Sequence, residues 1–104
     1  MTIFVDIDET ICFYPKKREY ELALPIKERI VHINKLYDEG NKIVYWTARG
    51  AVTKIDWTDL TIFQLNSWGA KYHELKMNHK PFYDLLICDK AIDSNTYFKN
   101  VENE

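Results

Sequence analysis

The stretch TIFVDIDET, residues 2–10, decides the fold of this chain. Its apolar run at residues 3–5 predicts a buried β-strand, which ends abruptly in the three acids Asp6, Asp8 and Glu9. Carboxylates gathered at the end of a buried strand repel one another and lose hydration, so a cation or a protonated carboxyl must compensate them. A solvated turn is the alternative, and the rest of the chain decides between the two.

The composition predicts one globular domain over residues 1–104. Hydrophobic residues make up 46% of the chain and aromatic residues 14%, which is enough for a sizeable core. The formal net charge of -2 argues against dominant binding to nucleic-acid backbones or anionic membranes. We expect no signal peptide and no membrane span, because the sequence has no long apolar run and its first residues lack a basic segment followed by an apolar one. Two cysteines are too few for a disulfide framework. We therefore expect a reduced, cytoplasmic protein with a polar tail at residues 100–104.

Strand and helix patterns alternate along the chain. Strands are predicted at residues 2–5, 42–46, 71–75 and 83–88, and helices at 26–39 and 60–68. Gly40 and Gly69 are placed to end the helices. Residues 11–25 contain two prolines and no clean period, which predicts a loop with room for a short hairpin. Because the strands are nearly continuously apolar, the pattern favours a three-layer Rossmann-like α/β fold with a parallel sheet.

Distinctive polar residues lie close to the ends of three predicted strands. Asp6, Asp8 and Thr10 follow the first strand, Thr47 and Arg49 follow the second, Asp89 and Asp93 follow the last, and Lys80 lies in the loop before it. In open α/β sheets ligands bind beyond the carboxyl ends of the strands, so we expect these groups to meet at one edge. Carboxylates, a hydroxyl and a lysine suit a phosphate held with Mg²⁺, and a carboxylate can also attack phosphorus.

In order and rough spacing, these residues resemble the four motifs of the haloacid dehalogenase-like (HAD) phosphohydrolases. Residues 6–10 are similar to the first motif, Thr47 to the second, Lys80 to the third, and Asp89 with Asp93 to the acidic fourth. The resemblance covers nearly the whole chain. It implies a Mg²⁺-dependent phosphatase that acts through an aspartyl-phosphate intermediate.

The resemblance also implies a role for each residue. Asp6 would be the nucleophile, Asp8 the general acid and then the general base, and Thr47 and Lys80 would hold the phosphoryl group. The metal ligands would be Asp6, Asp8 through its backbone carbonyl, Asp89 and Asp93. A proton donor at Asp8 needs a raised pKa, and the neighbouring charges of Asp6 and Glu9 are expected to raise it.

Two assignments stay open within this scheme. The motif lysine is either Lys76 or Lys80, and we favour Lys80 because it directly precedes Pro81 and the last strand. Arg49 is either a surface or salt-bridging arginine or, two residues after Thr47, a phosphate or substrate contact.

The intervals between the motifs leave no room for the cap domain that HAD proteins usually insert. Residues 11–46 already contain a helix and a strand, and only residues 76–79 separate the third strand from Lys80. The open site would admit a large substrate, such as a nucleic-acid end or a phosphoprotein, or a second subunit of a homo-oligomer would cover it over a small one. Residues 11–25 would then form a flap. Its candidate substrate contacts are Tyr14, Lys16, Lys17, Arg18 and Tyr20.

The short capless form is also similar to small HAD proteins associated with capsule and lipopolysaccharide sugar synthesis. A small phosphorylated substrate, with a sugar phosphate first, is therefore expected. The rival from another functional class is a regulatory module that binds phosphate or a metal without turnover. A phospho-acceptor receiver domain places its acceptor after a middle strand, whereas here the second strand ends in Thr47.

Overall fold

The chain folds around a four-stranded parallel sheet. The computed structural model describes residues 1–51, 53–77, 85–87 and 98. Within them the strands are β1 (Thr2–Asp6), β2 (Cys12–Phe13), β3 (Leu24–Pro25), β4 (Lys42–Thr47), β5 (Glu74–Met77) and β6 (Leu85–Ile87). The helices in this part are α1 (Lys27–Asp38) and α2 (Thr58–Ser67), and a 3-10 turn covers Tyr20–Leu22. The predicted α/β class with a parallel sheet is confirmed.

β1 lies inside the sheet, whose strand order is β5-β4-β1-β6. Asp6 at the end of β1 is paired in register with Trp46 of β4, so the two strands end at the same edge. The chain leaves β1 for β4 and β5 on one side and returns to β6 on the other side. This reversal creates a topological switch point at the carboxyl end of β1, where open α/β sheets bind ligands.

The core forms because β1 and β4 are apolar on both faces. Val5, Ile43 and Tyr45 are fully buried, as expected for strands in the interior of a covered sheet. α1 contributes Ile30 and Ile33, which lie three residues apart and so share one helix face. The buried apolar cluster comprises Ile3, Val5, Ile7, Ile11, Cys12, Ala23, Ile30, Ile33, Ile43, Tyr45, Leu65, Ile87 and Phe98.

Both described helices end where the sequence predicts. The Gly40 N–H donates to the Tyr37 carbonyl after α1, and the Gly69 N–H donates to the Asn66 carbonyl after α2. These bonds satisfy carbonyls that the last helical turn leaves without an intrahelical partner. No helix in the described part of the chain has the length and apolar character to cross a membrane.

The edge strand β5 begins three residues later than predicted. Its pairing with β4 starts at Glu74 and ends at Met77. The preceding residue, His73, is held differently, because its N–H donates to the Ile43 carbonyl and its ring Nδ1 accepts the Ile43 N–H. Lys76, predicted to lie in a loop, is therefore inside the strand, with its Nζ 3.4 Å from Glu74 Oε1.

The inward face of α2 is largely polar. Phe63 is 67% exposed, and the apolar Ile62 is exposed as well. The buried residues of the helix are Thr61, Gln64 and Leu65. Two polar side chains thus face the interior, where they need hydrogen-bond partners.

Candidate functional site

Asp8 lies in a tight turn between β1 and β2. The Ile7 carbonyl accepts the Ile11 N–H at 3.0 Å, which closes the turn. Glu9 has φ +64°, in the left-handed region that costs non-glycine residues free energy. The turn brings the chain back to Asp8, so that Cys12 forms an isolated β-bridge with Asp8 and its sulfur lies 3.6 Å from Asp8 Oδ1.

Residues 11–25, which we call the flap, fold against Asp8. β2 pairs with β3 in antiparallel register, so the predicted short hairpin is present. The Tyr14 hydroxyl donates to Asp8 Oδ1. The Tyr20 ring lies 4.8 Å from the guanidinium carbon of Arg49, in cation–π contact. The two flap tyrosines therefore contact the two charged residues at the centre of the site.

The ion pair between Asp8 and Arg49 is the centre of the site. Arg49 Nη2 lies 2.8 Å from Asp8 Oδ1, and Arg49 Nε lies 3.1 Å from Asp8 Oδ2. The Arg49 side chain is 0% exposed and the Asp8 side chain 12%. A planar guanidinium that donates two parallel hydrogen bonds to a carboxylate makes a strong and directional pair.

Each nitrogen of the Arg49 guanidinium has acceptors within reach. Besides its bond to Asp8, Nη2 lies 3.4 Å from the Tyr14 hydroxyl oxygen. Nη1 donates to Gln64 Oε1 at 2.6 Å and to Thr61 Oγ1 at 3.2 Å. The polar residues on the inward face of α2 thus serve the buried arginine. Of the two alternatives for Arg49, the geometry is that of a salt-bridging residue.

Thr47 joins the site from the end of β4. Its hydroxyl donates to Asp8 Oδ2 at 3.5 Å and accepts the Arg49 N–H at 3.1 Å. Because β1 and β4 are adjacent parallel strands, the residues beyond their carboxyl ends meet at one edge of the sheet. The structure therefore brings together Asp8 and Thr47, which the sequence places at neighbouring strand ends.

The surroundings of Asp8 stabilise its charged form. Burial raises the pKa of Asp8, but the hydrogen bond and charge of Arg49, with the hydrogen bond from Tyr14, lower it by more. The net result is a pKa below the ordinary value. The sequence-based expectation of a raised pKa is wrong for this arrangement, because it considered Asp6 and Glu9 and not the buried Arg49.

The two flap residues that donate to Asp8 stay protonated. Burial and the nearby charge of Asp8 raise the pKa of Cys12 to about 12. Burial and the hydrogen bond to Asp8 also raise the pKa of Tyr14. Cys12 is fully buried. A neutral thiol and a neutral phenol can donate hydrogen bonds, but neither is a nucleophile near neutral pH.

Asp6 ends β1 at the switch point of the sheet. Its Oδ1 accepts the Ile7 N–H at 2.8 Å, and the residue is partly buried. The Asp6 carboxylate is the type of hard oxygen donor that Mg²⁺ prefers, whereas the Asp8 side chain is engaged by Arg49. The predicted use of the Asp8 backbone carbonyl as a ligand is compatible with that pair. Among the described residues, no group of three or more His, Cys, Asp or Glu side chains could hold a metal ion.

The remaining half of the predicted site lies outside the described residues. This applies to the predicted phosphate ligand Lys80, to the predicted metal ligands Asp89 and Asp93, and to Cys88 beside them. Of the predicted catalytic and phosphate- or metal-binding residues, the structure therefore describes only those at and just beyond the ends of β1 and β4.

The basic residues of the flap lie at its surface. Lys16 and Lys17 are exposed, and Lys17 Nζ lies 3.6 Å from Glu19 Oε1. Arg18 Nη2 lies 3.9 Å from Glu9 Oε1, in the turn that follows Asp8. Of these three predicted substrate contacts, Arg18 is the one that the structure brings next to the Asp8 turn.

Thr61 and Gln64 are site residues that the sequence analysis missed. They lie three positions apart, so they share one face of α2 with the buried Leu65. The apolar Ile62 and Phe63 fall between them and are exposed. A polar pair on the face that also carries a buried leucine is the signal that could have indicated a buried charged partner.

Comparison with known proteins identifies a shared fold. No family model matches the chain, and no curated protein matches it. A crystal structure of a target protein from Vibrio cholerae is similar, with 24% sequence identity and a TM-score of 0.65. The alignment covers 98% of this chain and 94% of that chain. At this identity the likeness shows the fold alone.

Proposed function

We propose that this protein is a Mg²⁺-dependent phosphomonoester hydrolase with a Rossmann-like, HAD-type fold and Asp6 as its nucleophile. The observation that carries the proposal is the position of the acids. Asp6 and Asp8 follow an interior strand at the switch point of a parallel sheet, and Thr47 from the next strand lies 3.5 Å from Asp8. This is the edge at which open α/β sheets bind ligands, and it supplies both a nucleophile and a hydroxyl donor for phosphoryl oxygens.

The reaction would proceed in two displacements. The Asp6 carboxylate attacks phosphorus, the bond from phosphorus to the leaving oxygen breaks, and Asp8 gives its proton to that oxygen. Water then attacks the phosphorus of the aspartyl phosphate, Asp8 takes a proton from the water, and phosphate leaves with Asp6 restored. Bound Mg²⁺ would supply charge neutralisation at the phosphoryl oxygens.

The Asp8–Arg49 pair sets a condition on this scheme. A general acid must carry a proton, whereas Arg49 stabilises the charged carboxylate of Asp8. A phosphate group can accept hydrogen bonds from the same guanidinium, because the arginine fork matches phosphate as well as carboxylate. A substrate phosphate bound to Arg49 would thus weaken the ion pair between Arg49 and Asp8. Proton transfer from Asp8 would therefore follow phosphate binding. On this view Arg49 is a phosphate contact during turnover and a salt-bridging residue before it.

A sugar phosphate is the substrate class that we favour. An open surface groove of about 570 Å³ lies along the flap, lined by Arg18, Glu19, Tyr20, Glu21, Leu22 and Trp57. Its volume falls within the range of small-molecule sites. Carboxylates accept hydrogen bonds from hydroxyl groups and aromatic rings cover apolar faces, so this lining suits a polyhydroxylated leaving group. Nucleic-acid ends and phosphoproteins are the large-substrate alternatives.

The proposal is tested by a phosphatase assay with Mg²⁺ and a generic aryl phosphate. Asp6→Asn should abolish turnover and leave urea unfolding close to that of the wild type. Asp59→Asn, which changes an exposed acid in α2, is the matched control and should keep full activity. Full activity of Asp6→Asn contradicts the assignment of the nucleophile. A panel of sugar phosphates, nucleotides, phosphopeptides and 3′-phosphorylated oligonucleotides then defines the substrate, with the oligomeric state measured alongside.

A regulatory module that binds phosphate or a metal without turnover is the second candidate. The observation that favours it is the set of donors around Asp8, which includes Tyr14, Thr47 and Arg49 and suits a permanently charged acceptor. Calorimetric binding of phosphate with Mg²⁺, without hydrolysis of any substrate in the panel, would support this candidate. Turnover that depends on Asp6 excludes it.

A further inference from the structure

Gln64 connects three parts of the candidate site. It belongs to α2 and is 6% exposed. Its Oε1 accepts a hydrogen bond from Arg49 Nη1 at 2.6 Å, and its Nε2 donates to the Tyr20 carbonyl at 2.6 Å. One half of the amide therefore holds the arginine, and the other half holds the flap.

The chemistry of the partners fixes the orientation of this amide. A guanidinium only donates hydrogen bonds and a carbonyl only accepts them, so Oε1 must face Arg49 and Nε2 must face Tyr20. A rotated amide would set donor against donor and acceptor against acceptor. A buried polar group left without a partner is costly, so the alternative orientation is strongly disfavoured.

We propose that Gln64 is a positioning residue that sets Arg49 against Asp8 and couples the flap to that ion pair. The catalytic meaning of this inference rests on the proposed function. The hydrogen bonds form a closed circuit, because the flap is also joined to Asp8 through Tyr14. A displacement of the flap at Tyr20 must therefore disturb Arg49, and a displacement of Arg49 must disturb the flap.

Thr61 cannot replace Gln64 in this role. Its hydroxyl donates to the Trp57 carbonyl at 2.7 Å, which leaves it only as an acceptor for Arg49, at 3.2 Å. These two bonds join Thr61 to the residue before α2 and to Arg49, and neither of them reaches a backbone atom of the flap. Among the described side chains, Gln64 is the one in α2 that binds both the arginine and the flap.

Two substitutions at position 64 distinguish the hydrogen bond to Arg49 from the hydrogen bond to the Tyr20 carbonyl. Gln64→Met has a similar length and removes both hydrogen bonds. Gln64→Glu keeps an acceptor for Arg49 but has no donor for the Tyr20 carbonyl. Asn66→Ala, at an exposed position of the same helix, is the matched control.

The first measurement is independent of activity. In ¹⁵N NMR spectra, Gln64→Met should accelerate exchange of the Arg49 Nε–H with water by about tenfold or more, which corresponds to the loss of roughly one hydrogen bond. Gln64→Glu and Asn66→Ala should leave that exchange unchanged. The Ala23 N–H, which donates to the Tyr20 carbonyl at 3.3 Å, should exchange faster in both position-64 variants. Unchanged Arg49 exchange in Gln64→Met, or an unchanged Ala23 amide in both variants, overturns the inference.

The second measurement separates positioning from a structural role. Gln64→Met should lower kcat on an aryl phosphate by about tenfold or more, since small misplacements of catalytic groups carry penalties of this size. Gln64→Glu should raise KM with a smaller change in kcat, because it loosens the flap and keeps Arg49 in place. A purely structural role predicts lower stability to urea with kcat and KM of the folded protein unchanged, and that result overturns the inference. Absence of turnover in the wild type contradicts the proposed function instead, and the NMR result then decides the positioning role alone.

Discussion

At the scale of single residues, the pair of Asp8 and Arg49 is the most deeply buried ion pair in the described part of the chain. The arginine side chain is 0% exposed, so its charge requires a partner with good geometry. Asp8 supplies that partner from a position 41 residues earlier in the chain. Removing one member of such a pair leaves a buried charge without compensation, which is far more costly than losing an exposed salt bridge.

We expect Asp8→Asn to lower the free energy of unfolding by about 3 kcal/mol near pH 7, because Arg49 stays buried without its carboxylate. The folded-state pKa of Asp8 lies below its ordinary value of 3.8, so the stabilisation is present above that value and is lost as the pH falls through the folded pKa. Urea unfolding of both proteins from neutral pH to about pH 2 measures the difference. With Asp59→Asn as the control, a stability difference that stays constant over this range contradicts the expectation.

Gly50 follows Arg49 and sets the path of the loop towards α2. Its φ is +85°, and a Cβ added there would lie 2.2 Å from the Ile55 carbonyl oxygen. Gly69 has a similar φ of +74°, but an added Cβ would meet nothing within 4 Å. A substitution at either glycine would therefore strain the backbone, but only one at Gly50 would also create a steric clash.

Gly69→Ala should cost about 1 kcal/mol of stability, which is the usual penalty for an L-residue in the left-handed region. Gly50→Ala should cost at least about twice as much, because the clash with Ile55 adds to the same backbone penalty. It should also perturb the Arg49 Nε–H resonance, since the loop must move next to that residue. Thermal unfolding of the two variants provides the comparison, and equal losses of stability would show that the clash is relieved without cost.

Single-residue patterns in the sequence predict part of this site. Asp8 and Thr47 are found together because each follows an apolar strand, and strand ends can be located from hydrophobicity alone. The lowered pKa of Asp8 could not be predicted in the same way. It depends on the burial of Arg49, which is a consequence of tertiary packing and leaves no trace in the residues next to Arg49 in the sequence.

At the scale of elements, the flap and α2 meet through polar contacts. The hairpin within residues 11–25 is confirmed, since β2 and β3 pair across it. Its attachment to Asp8 through Tyr14 and to Gln64 through the Tyr20 carbonyl is not visible in any sequence period. Hydrophobic periodicity locates apolar faces, whereas this interface is organised by hydrogen bonds.

Tyr14→Phe tests whether the flap is held by its bond to Asp8. The substitution keeps the ring and removes the hydroxyl donor, so stability should fall by about 1.5 kcal/mol, as expected for a hydrogen bond to a charged group. Tyr20→Phe is the matched control, because it keeps the ring over Arg49 and the carbonyl that accepts from Gln64. Its effect should stay within about 0.5 kcal/mol. Equal changes for the two variants in urea unfolding would indicate that the Tyr14 hydroxyl does not hold the flap.

At the scale of the whole molecule, the alternation of strands and helices was sufficient to predict a parallel α/β sheet. The continuous apolar character of β1 and β4 identifies them as interior strands, and both are buried. The register of β5 was less predictable, because His73 makes a side-chain contact with the β4 backbone where the pattern indicated a strand. The order β5-β4-β1-β6 is what places Asp6 at the switch point.

The central claim is that Asp6 accepts the phosphoryl group, and acid quenching followed by peptide mass spectrometry tests it most directly. Asp8→Asn should be incubated with Mg²⁺ and an aryl phosphate whose leaving group needs no proton. Since Asp8 is the proposed base for the second displacement, the phosphorylated enzyme should accumulate in this variant. We predict a phosphoryl group on the peptide that contains Asp6, and none when Asp6→Asn is added to the variant. Hydrolysis by the wild type with no phosphoryl group on Asp6 in the Asp8→Asn variant, or labelling that survives Asp6→Asn, would contradict this assignment.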